Sequence, residues 1–355
     1  MKQLIIKLIY PLLDKLPEKW ATNIKIIGCV LTGYWRMDPF LHFDHRGVKS
    51  EAEALAFFAD MDDESLAEIK RIYAHADLYI AEERRSFFFY NWGAVKPPAW
   101  CPTKKETAAA RKAFCATYHL PSCCRRLGTE SFFFHHGLKM LPATVPAYLR
   151  DRDIIDAGAC WGDSTLVFRE YSPRRVCAFE PSPKNAAIMA KILARNKITA
   201  AEVQLEQLGL GESAATMTLS GVGPSANLSA AGQQSACHNA ADNLCVKITT
   251  VDEYAKQNRL QVGLIKADVE GMALDLIKGA VGTIRRDRPV LSISIYHSAE
   301  EFFGVYEYLR SLDANYRFLI RSLSDSVLRY SETALLAYPA ELAPAEKKAS
   351  ATAPC

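Results

Sequence analysis

The stretch Ile154-Ile155-Asp156-Ala157-Gly158-Ala159-Cys160-Trp161-Gly162-Asp163-Ser164, followed downstream by Phe179-Glu180-Pro181, decides the fold. An apolar strand runs into Asp-x-Gly-x-x-x-Gly, a helix follows, and a second strand ends on a carboxylate. A doubly wound sheet holds a nucleoside in this way, at the carboxyl ends of neighbouring strands. Gly158 and Gly162 permit a tight turn and close backbone approach to a ligand. Asp156 is placed to hold that turn or to reach a polar group of the ligand, and Glu180 to accept both hydroxyls of a ribose.

The glycine spacing narrows the nucleoside. A dinucleotide site carries Gly-x-Gly-x-x-Gly, so that a helix N-terminus can take the pyrophosphate. Here the turn is Gly-x-x-x-Gly and carries bulky Trp161 and acidic Asp163. Asp163 near a helix start repels a pyrophosphate and suits a cationic ligand. S-adenosylmethionine has ribose hydroxyls, an ammonium, a sulfonium and no phosphate, and fits better.

Working outward, apolar runs at 153–157, 175–179, 202–208, 264–268 and 290–296 alternate with helical patterns at 164–171, 182–196, 272–286 and 300–312. Two further strands are expected at 316–321 and 333–337. Runs at 216–220 and 246–250 read as a strand pair joined by a Gly/Ser/Asn/Ala-rich excursion, whose 221–232 portion has the composition of a lid. Short apolar strands alternating with helices predict an α/β, doubly wound, mostly parallel Rossmann-like sheet covered on both faces. That domain is expected over 131–339, after a mainly helical accessory region at 1–130 and before a disordered tail at 340–355. In the accessory region Ser50-x-x-Glu53, Ser65-x-x-Glu68 and Thr103-x-x-Glu106 fit capping boxes. Residues 95–99 read as a loop because of Pro97 and Pro98. The runs 87–90 and 132–134 are aromatic and read as packing surfaces.

Composition excludes several classes. The chain has 355 residues, 49% of them apolar, and a formal charge of +3, with no long block of like charge. Nucleic acid is therefore not an expected partner. The ten cysteines are scattered and show no Cys-x-x-Cys pair. This predicts reduced thiols and a cytoplasmic setting, with Cys101, Cys115, Cys123 and Cys124 the sole grouping that hints at zinc. Residues 1–13 are apolar but broken by Lys7 and Pro11, too short to span a bilayer. They read as a helix packed on the body, with a weak membrane-surface contact as the alternative.

Three blocks taken together resemble the FkbM family of S-adenosylmethionine-dependent methyltransferases. They are Asp-Ala-Gly-Ala-Cys-Trp-Gly-Asp-Ser from Asp156, Phe-Glu-Pro-Ser-Pro at 179–183, and Ile-Lys-Ala-Asp-Val-Glu-Gly-Met-Ala-Leu-Asp-Leu-Ile-Lys-Gly-Ala at 265–280. The resemblance covers roughly residues 130–338 and implies a class I methyltransferase fold. It implies that Asp156, Gly158 and Gly162 shape the methionine end of the pocket, with Glu180 on the ribose. Ala159, Asp163 and Pro181 belong to the same two loops. Leu210 belongs to Gly209-Leu210-Gly211-Glu212, where the family usually has an Ala-Leu-Ser-Asp-like stretch that contacts adenine. The acceptor it implies is a hydroxyl on a sugar, glycan or similar polyhydroxylated small molecule.

Proton removal from a hydroxyl needs a carboxylate or imidazole near the strand ends. The sequence offers Asp268, Glu270 and His297 as catalytic candidates, with His135 and His136 further off. The competing readings are an ion pair between Asp268 and Lys266 and a helix-capping role for Glu270. A magnesium ion on Asp268 and Glu270 lacks an evident third ligand, so no metal is expected. Two other readings stay open: a nicotinamide-dependent oxidoreductase, and a binding protein with a degenerate methyltransferase fold. The accessory region is expected to dock the acceptor or to form a homodimer.

Overall fold

The computed structural model describes residues 49–83, 100–121, 127–220, 227–230, 244–325 and 332–344, with 74–83, 220 and 227–230 as backbone only. Expectations for residues 1–13, 87–90, 95–99, 123–124 and 345–355 lie outside the described residues.

Seven strands form the main sheet: β1 (Asp153–Ala157), β2 (Arg175–Phe179), β3 (Val203–Glu206), β8 (Val262–Ala267), β9 (Val290–Ser294), β10 (Tyr316–Ser322) and β11 (Thr333–Pro339). Their order is β10-β11-β9-β8-β1-β2-β3. From β3 to β9 all pairs are parallel, while β11 runs antiparallel to both β9 and β10. The chain winds outward from β1 in both directions, so β1 and β8 flank the point where strand order reverses. The α/β, doubly wound, mostly parallel expectation is borne out. A second sheet, in the order β4-β7-β5-β6, is built from β4 (Gly209–Leu210), β5 (Ala215–Ser220), β6 (Asn227–Ala230) and β7 (Leu244–Thr249). The excursion read as a lid thus contains a strand, β6, paired antiparallel to β5; the remainder lies outside the described residues.

Period-two alternation sorts the main sheet into two cores. Ile155, Ala157, Phe179, Ile265, Leu291 and Ile293 face one side. There they meet α1 (Glu51–Phe57), α2 (Asp63–Glu83), α8 (Val251–Gln257), α9 (Ala273–Lys278), α10 (Val281–Asp287) and α11 (Ala299–Ser311). Ile154, Val176, Ala178, Leu264 and Val290 face the other side. Over them lie α3 (Lys104–Thr117), α4 (Thr129–Phe132), α5 (Val145–Leu149), α6 (Asp163–Phe168) and α7 (Pro183–Arg195). The described helices before residue 130 therefore share the cores of the sheet. Phe58 stacks on Phe303 at 5.8 Å, and Phe132 and Phe134 are buried core.

Local signals account for most helix starts. Ser50 and Glu53, and Thr103 and Glu106, form reciprocal capping boxes as their spacing predicts. Ser65 does not. The Asp62 carboxylate accepts the Ser65 N–H at 2.9 Å, and α2 begins at Asp63. Ser65 Oγ instead accepts from the Ile320 N–H at 2.9 Å and the Arg321 guanidinium at 2.8 Å. An aspartate caps as well as a serine, and the sheet edge recruits the hydroxyl. The helix expected over 272–286 is broken into α9 and α10. At Gly279 a Cβ would lie 2.0 Å from the Gly211 carbonyl oxygen, so the backbone bends around that loop.

One polar row crosses the middle of the sheet: Asp156 on β1, Lys266 on β8 and Ser292 on β9 are register neighbours. All three are buried. Lys266 Nζ donates to the carbonyls of Ala157 (3.1 Å) and Gly158 (2.8 Å) and lies 3.2 Å from Asp156 Oδ1. The carboxylate that Lys266 meets is therefore Asp156, not Asp268, because β8 ends at Ala267 and the strand alternation stops there. Asp156 Oδ2 accepts from Ser164 Oγ (2.7 Å) and Thr165 Oγ1 (2.6 Å) on α6. Removing one partner of such a pair strands a buried charge. Lys266→Met should cost about 3–5 kcal/mol in urea unfolding, and a loss below about 1 kcal/mol would show that the pair does not hold β1 to β8.

Candidate active site

A cleft with about 590 Å³ of empty space, part of it open to solvent, lies at the carboxyl ends of β1, β2 and β8. This is where a doubly wound sheet places its ligand. Its walls come from three loops and from the second sheet.

On the β2 side stands Glu180. Its Oε2 accepts from the Cys160 N–H at 2.9 Å, and its Oε1 from the Ser182 N–H at 2.8 Å and Asn185 Nδ2 at 3.4 Å. Burial raises its pKa above the ordinary carboxylate value, against the pull of those donors. A carboxylate offers about four acceptor positions. One remains open, and the Asn185 bond is long enough to yield another.

The β1 turn is held by close packing. Gly158 has φ +70°, and a Cβ there would sit 1.9 Å from the Asp268 carbonyl oxygen. Gly162 has φ +86°, and a Cβ there would press on Met189 of α7 at 2.9 Å. Both positions demand glycine for the left-handed conformation as well as for space. Cys160, between them, takes φ +48° without that freedom. The same holds for Glu270 (φ +52°), which precedes Gly271 (φ +98°). Non-glycine residues held there cost about 1–3 kcal/mol each, and such strain gathers at functional sites.

Among the residues expected around the cofactor, Gly158, Glu180, Pro181 and Leu210 line the cavity. Asp156, Ala159, Gly162 and Asp163 stand behind it. Asp156 is occupied by Lys266 and α6, Ala159 is buried in the core under α6 and α7, and Gly162 packs on Met189. Asp163 accepts a hydrogen bond from Ser131 Oγ, and burial raises its pKa. The cavity also takes Cys160, Asn185, Leu208, Leu219, Val269 and Met272. Asn185 follows Glu180 on the next helix and was open to sequence reasoning. Leu219 comes from the second sheet, which only tertiary structure brings over the site.

The three catalytic candidates converge. Asp268 and Glu270 line the cavity on the loop after β8. His297, just beyond β9, places Nε2 3.6 Å from Asp268 Oδ1 and 3.7 Å from Glu270 Oε2. The His297 side chain is 11% exposed. Its Nδ1 lies 3.2 Å from Oε2 of Glu301, a residue not singled out in the sequence although it follows His297 by one helical turn. Nε2 is buried without a hydrogen-bond partner. Burial disfavours the imidazolium, but the Glu301 bond and the charges of Asp268, Glu301 and Glu270 outweigh it and raise the His297 pKa. Burial also pushes Glu270 up to about 7, with His297 opposing. Asp268 is lowered despite its burial, chiefly by Lys266 and then by His297. Tyr296 adds a donor, its hydroxyl 3.2 Å from Asp268 Oδ1.

His135 and His136 do not line the cavity. His135 Nδ1 lies 3.1 Å from the Tyr171 hydroxyl, and His136 Nε2 lies 3.4 Å from Ser131 Oγ. Burial lowers both to about 3, so both are neutral. Among the described residues no group of three or more His, Cys, Asp or Glu side chains is arranged to hold a metal, and Cys101 and Cys115 are free thiols. No described helix is long and apolar enough to cross a membrane.

Residues 156–318 match the family described as Methyltransferase FkbM domain. Among solved structures, the chain is similar to the methyltransferase FkbM from Methylobacillus flagellatus KT, with 17% identity and a TM-score of 0.49. The similarity covers 80% of this chain and 57% of that one, so this chain spans little more than half of that protein's length. It is also similar to a putative methyltransferase from Streptococcus mutans in complex with SAH, with 13% identity, a TM-score of 0.32, and coverage of 54% of this chain and 94% of that one. No curated protein matches the chain.

The cavity suits the family's cofactor. Glu180 retains acceptor capacity for a ribose, Leu208, Leu210, Leu219 and Met272 give an apolar wall, and Asp268 offers a carboxylate at the β8 side. Every residue lining this cavity falls within residues 156–318, the stretch that matches the Methyltransferase FkbM domain family.

Proposed function

We propose that the domain methylates a hydroxyl oxygen of a sugar, glycan or similar polyhydroxylated small molecule. The observation that carries this reading is the meeting of Asp268, Glu270 and His297 at the edge of the cofactor cavity. When bound, the cofactor supplies an electrophilic methyl group on a sulfonium. What the chain must add is position and a proton acceptor, because a hydroxyl attacks well only as its proton leaves. His297 Nε2 has no hydrogen-bond partner and is free to receive that proton. Asp268, kept ionised by Lys266, can align the hydroxyl or stabilise the imidazolium that results. Glu270, with its pKa near 7, can share the proton at neutral pH.

In this reading Glu180 holds the ribose, Pro181 and Gly158 border it, and the loop of Leu210 faces the base. Asp156, Ala159, Gly162 and Asp163 support the turn from behind. Residues 131–339 form the catalytic unit, and the region before them orients the acceptor, with the cytoplasm as its setting.

Calorimetric titration with S-adenosylhomocysteine tests the cofactor assignment. Glu180→Ala should weaken binding by roughly tenfold to a hundredfold, the loss of charge-assisted hydrogen bonds; unchanged affinity would remove Glu180 from the ribose. A screen of polyols and glycans with labelled methyl donor tests the acceptor. His297→Ala should lower kcat by about a hundredfold to ten-thousandfold while leaving affinity for S-adenosylhomocysteine within about threefold. Transfer to amines but to none of the hydroxyl acceptors would overturn O-methylation.

A further inference from the structure

We infer that Glu301 is a positioning residue that fixes the tautomer of His297, so that Nε2 and not Nδ1 is the bare proton acceptor beside Asp268 and Glu270, the two carboxylates that line the cavity. The inference rests on the methyltransferase reading of the site but concerns a residue outside its motifs.

Glu301 sits in the first turn of α11 and its side chain is 2% exposed. Each carboxylate oxygen has its own task. Oε1 accepts from the Ala273 N–H at 2.7 Å, at the start of α9 just after the Asp268–Gly271 loop. Oε2 lies 3.2 Å from His297 Nδ1. An ionised carboxylate only accepts, so Nδ1 must carry a hydrogen, and in the neutral ring Nε2 is then a bare lone pair. That lone pair is the atom left without a partner, 3.6–3.7 Å from the carboxylates of Asp268 and Glu270. Both of those carboxylates line the cavity.

The alternative tautomer is disfavoured at Nδ1, where the carboxylate is nearest: Glu301 lies at 3.2 Å, against 3.6–3.7 Å for Asp268 and Glu270 from Nε2. It would leave the Nδ1 lone pair facing a buried carboxylate, two acceptors without a proton between them. The groups facing His297 are Asp268 and Glu270 from the loop after β8, Glu301 from α11, and the ring of Tyr296 at 4.1 Å from its own strand. No cation lies among them. Were an acceptor hydroxyl to give its proton to Nε2 as its oxygen bonds to the methyl carbon and the methyl–sulfur bond breaks to leave a thioether, the imidazolium formed would be held between Glu301 and Asp268. Glu301 also ties the two loops that carry the three groups, through Ala273 on one side and His297 on the other.

The test reads the imidazole directly, with no donor or acceptor present. Nitrogen-15 shifts of histidine-labelled wild-type protein, above the His297 titration, should show Nδ1 protonated and Nε2 bare; the opposite assignment overturns the inference. Glu301→Gln keeps an oxygen for Ala273 but can present an amide N–H to Nδ1. It should populate the Nε2–H form and lower the His297 pKa, because an anion has been removed. The rising limb of the pH profile of kcat should then move to lower pH. Its plateau should fall by about tenfold or more, with KM for the methyl donor unchanged. Unmoved nitrogen shifts and an unmoved limb would overturn the inference. If the tautomer behaves as stated but no methyl transfer to any acceptor is found, the functional reading fails and the positioning role stands.

Discussion

A single ammonium group organises the centre of this molecule. Lys266 lies buried at the seam between β1 and β8, where a carboxylate and two backbone carbonyls converge on it. Burial alone would drive off its proton, yet Asp156 and Asp268 outweigh that and raise its pKa. The charge has effects in two directions. Backward, it compensates Asp156, which in turn anchors α6 through Ser164 and Thr165. Forward, it keeps Asp268 ionised at the cavity. The strand that holds the fold and the loop that lines the cavity thus share one cation.

Around that centre the loops are set by steric demand. Gly158 exists because the Asp268 carbonyl occupies the space of a side chain, so the β1 and β8 loops are locked edge to edge. Gly162 plays the same part against α7. Ser292 Oγ donates to the His136 carbonyl at 2.6 Å, which fastens the segment before β1 to β9. Left-handed φ values at Cys160 and Glu270 mark where the chain bends at the cavity, and those at His135 and His136 where it turns in the segment before β1. These residues are held by their surroundings, and a cofactor meets walls that are already in place.

Much of this was legible beforehand. β1 and β2 begin and end where the runs 153–157 and 175–179 do, because a parallel strand buried on both faces carries apolar residues on both, here broken only by Asp153, Asp156 and Arg175. The capping boxes at Ser50 and Thr103 are local, and local signals survive folding. Signals that depend on a distant partner did not. Ser65 has the spacing of a cap but is claimed by β10. Gly279 looks like an ordinary helical glycine until the Gly211 carbonyl arrives beside it. Lys266 finds its carboxylate across the sheet and not two residues along its own strand. At the site, Glu180 and Asp268 announced themselves by motif, whereas Leu219 reaches the cavity through a second sheet and Glu301 through a helix start that resembles any other.

The pairing of β1 with β8 has a consequence for how the chain reaches this state. Ile154 meets Leu264, with the whole β2–β7 region lying between them in sequence. The half-sheet β1-β2-β3 closes through short crossovers, but the other edge of β1 must wait for a contact with a high loop-closure cost. Until then its apolar edge is unpaired and Asp156 has no counter-ion. During synthesis from the N-terminus, that exposed edge persists until residues 262–267 have emerged. The same seam that carries the buried ion pair is therefore the interval in which a nascent chain is most open to wrong strand pairing.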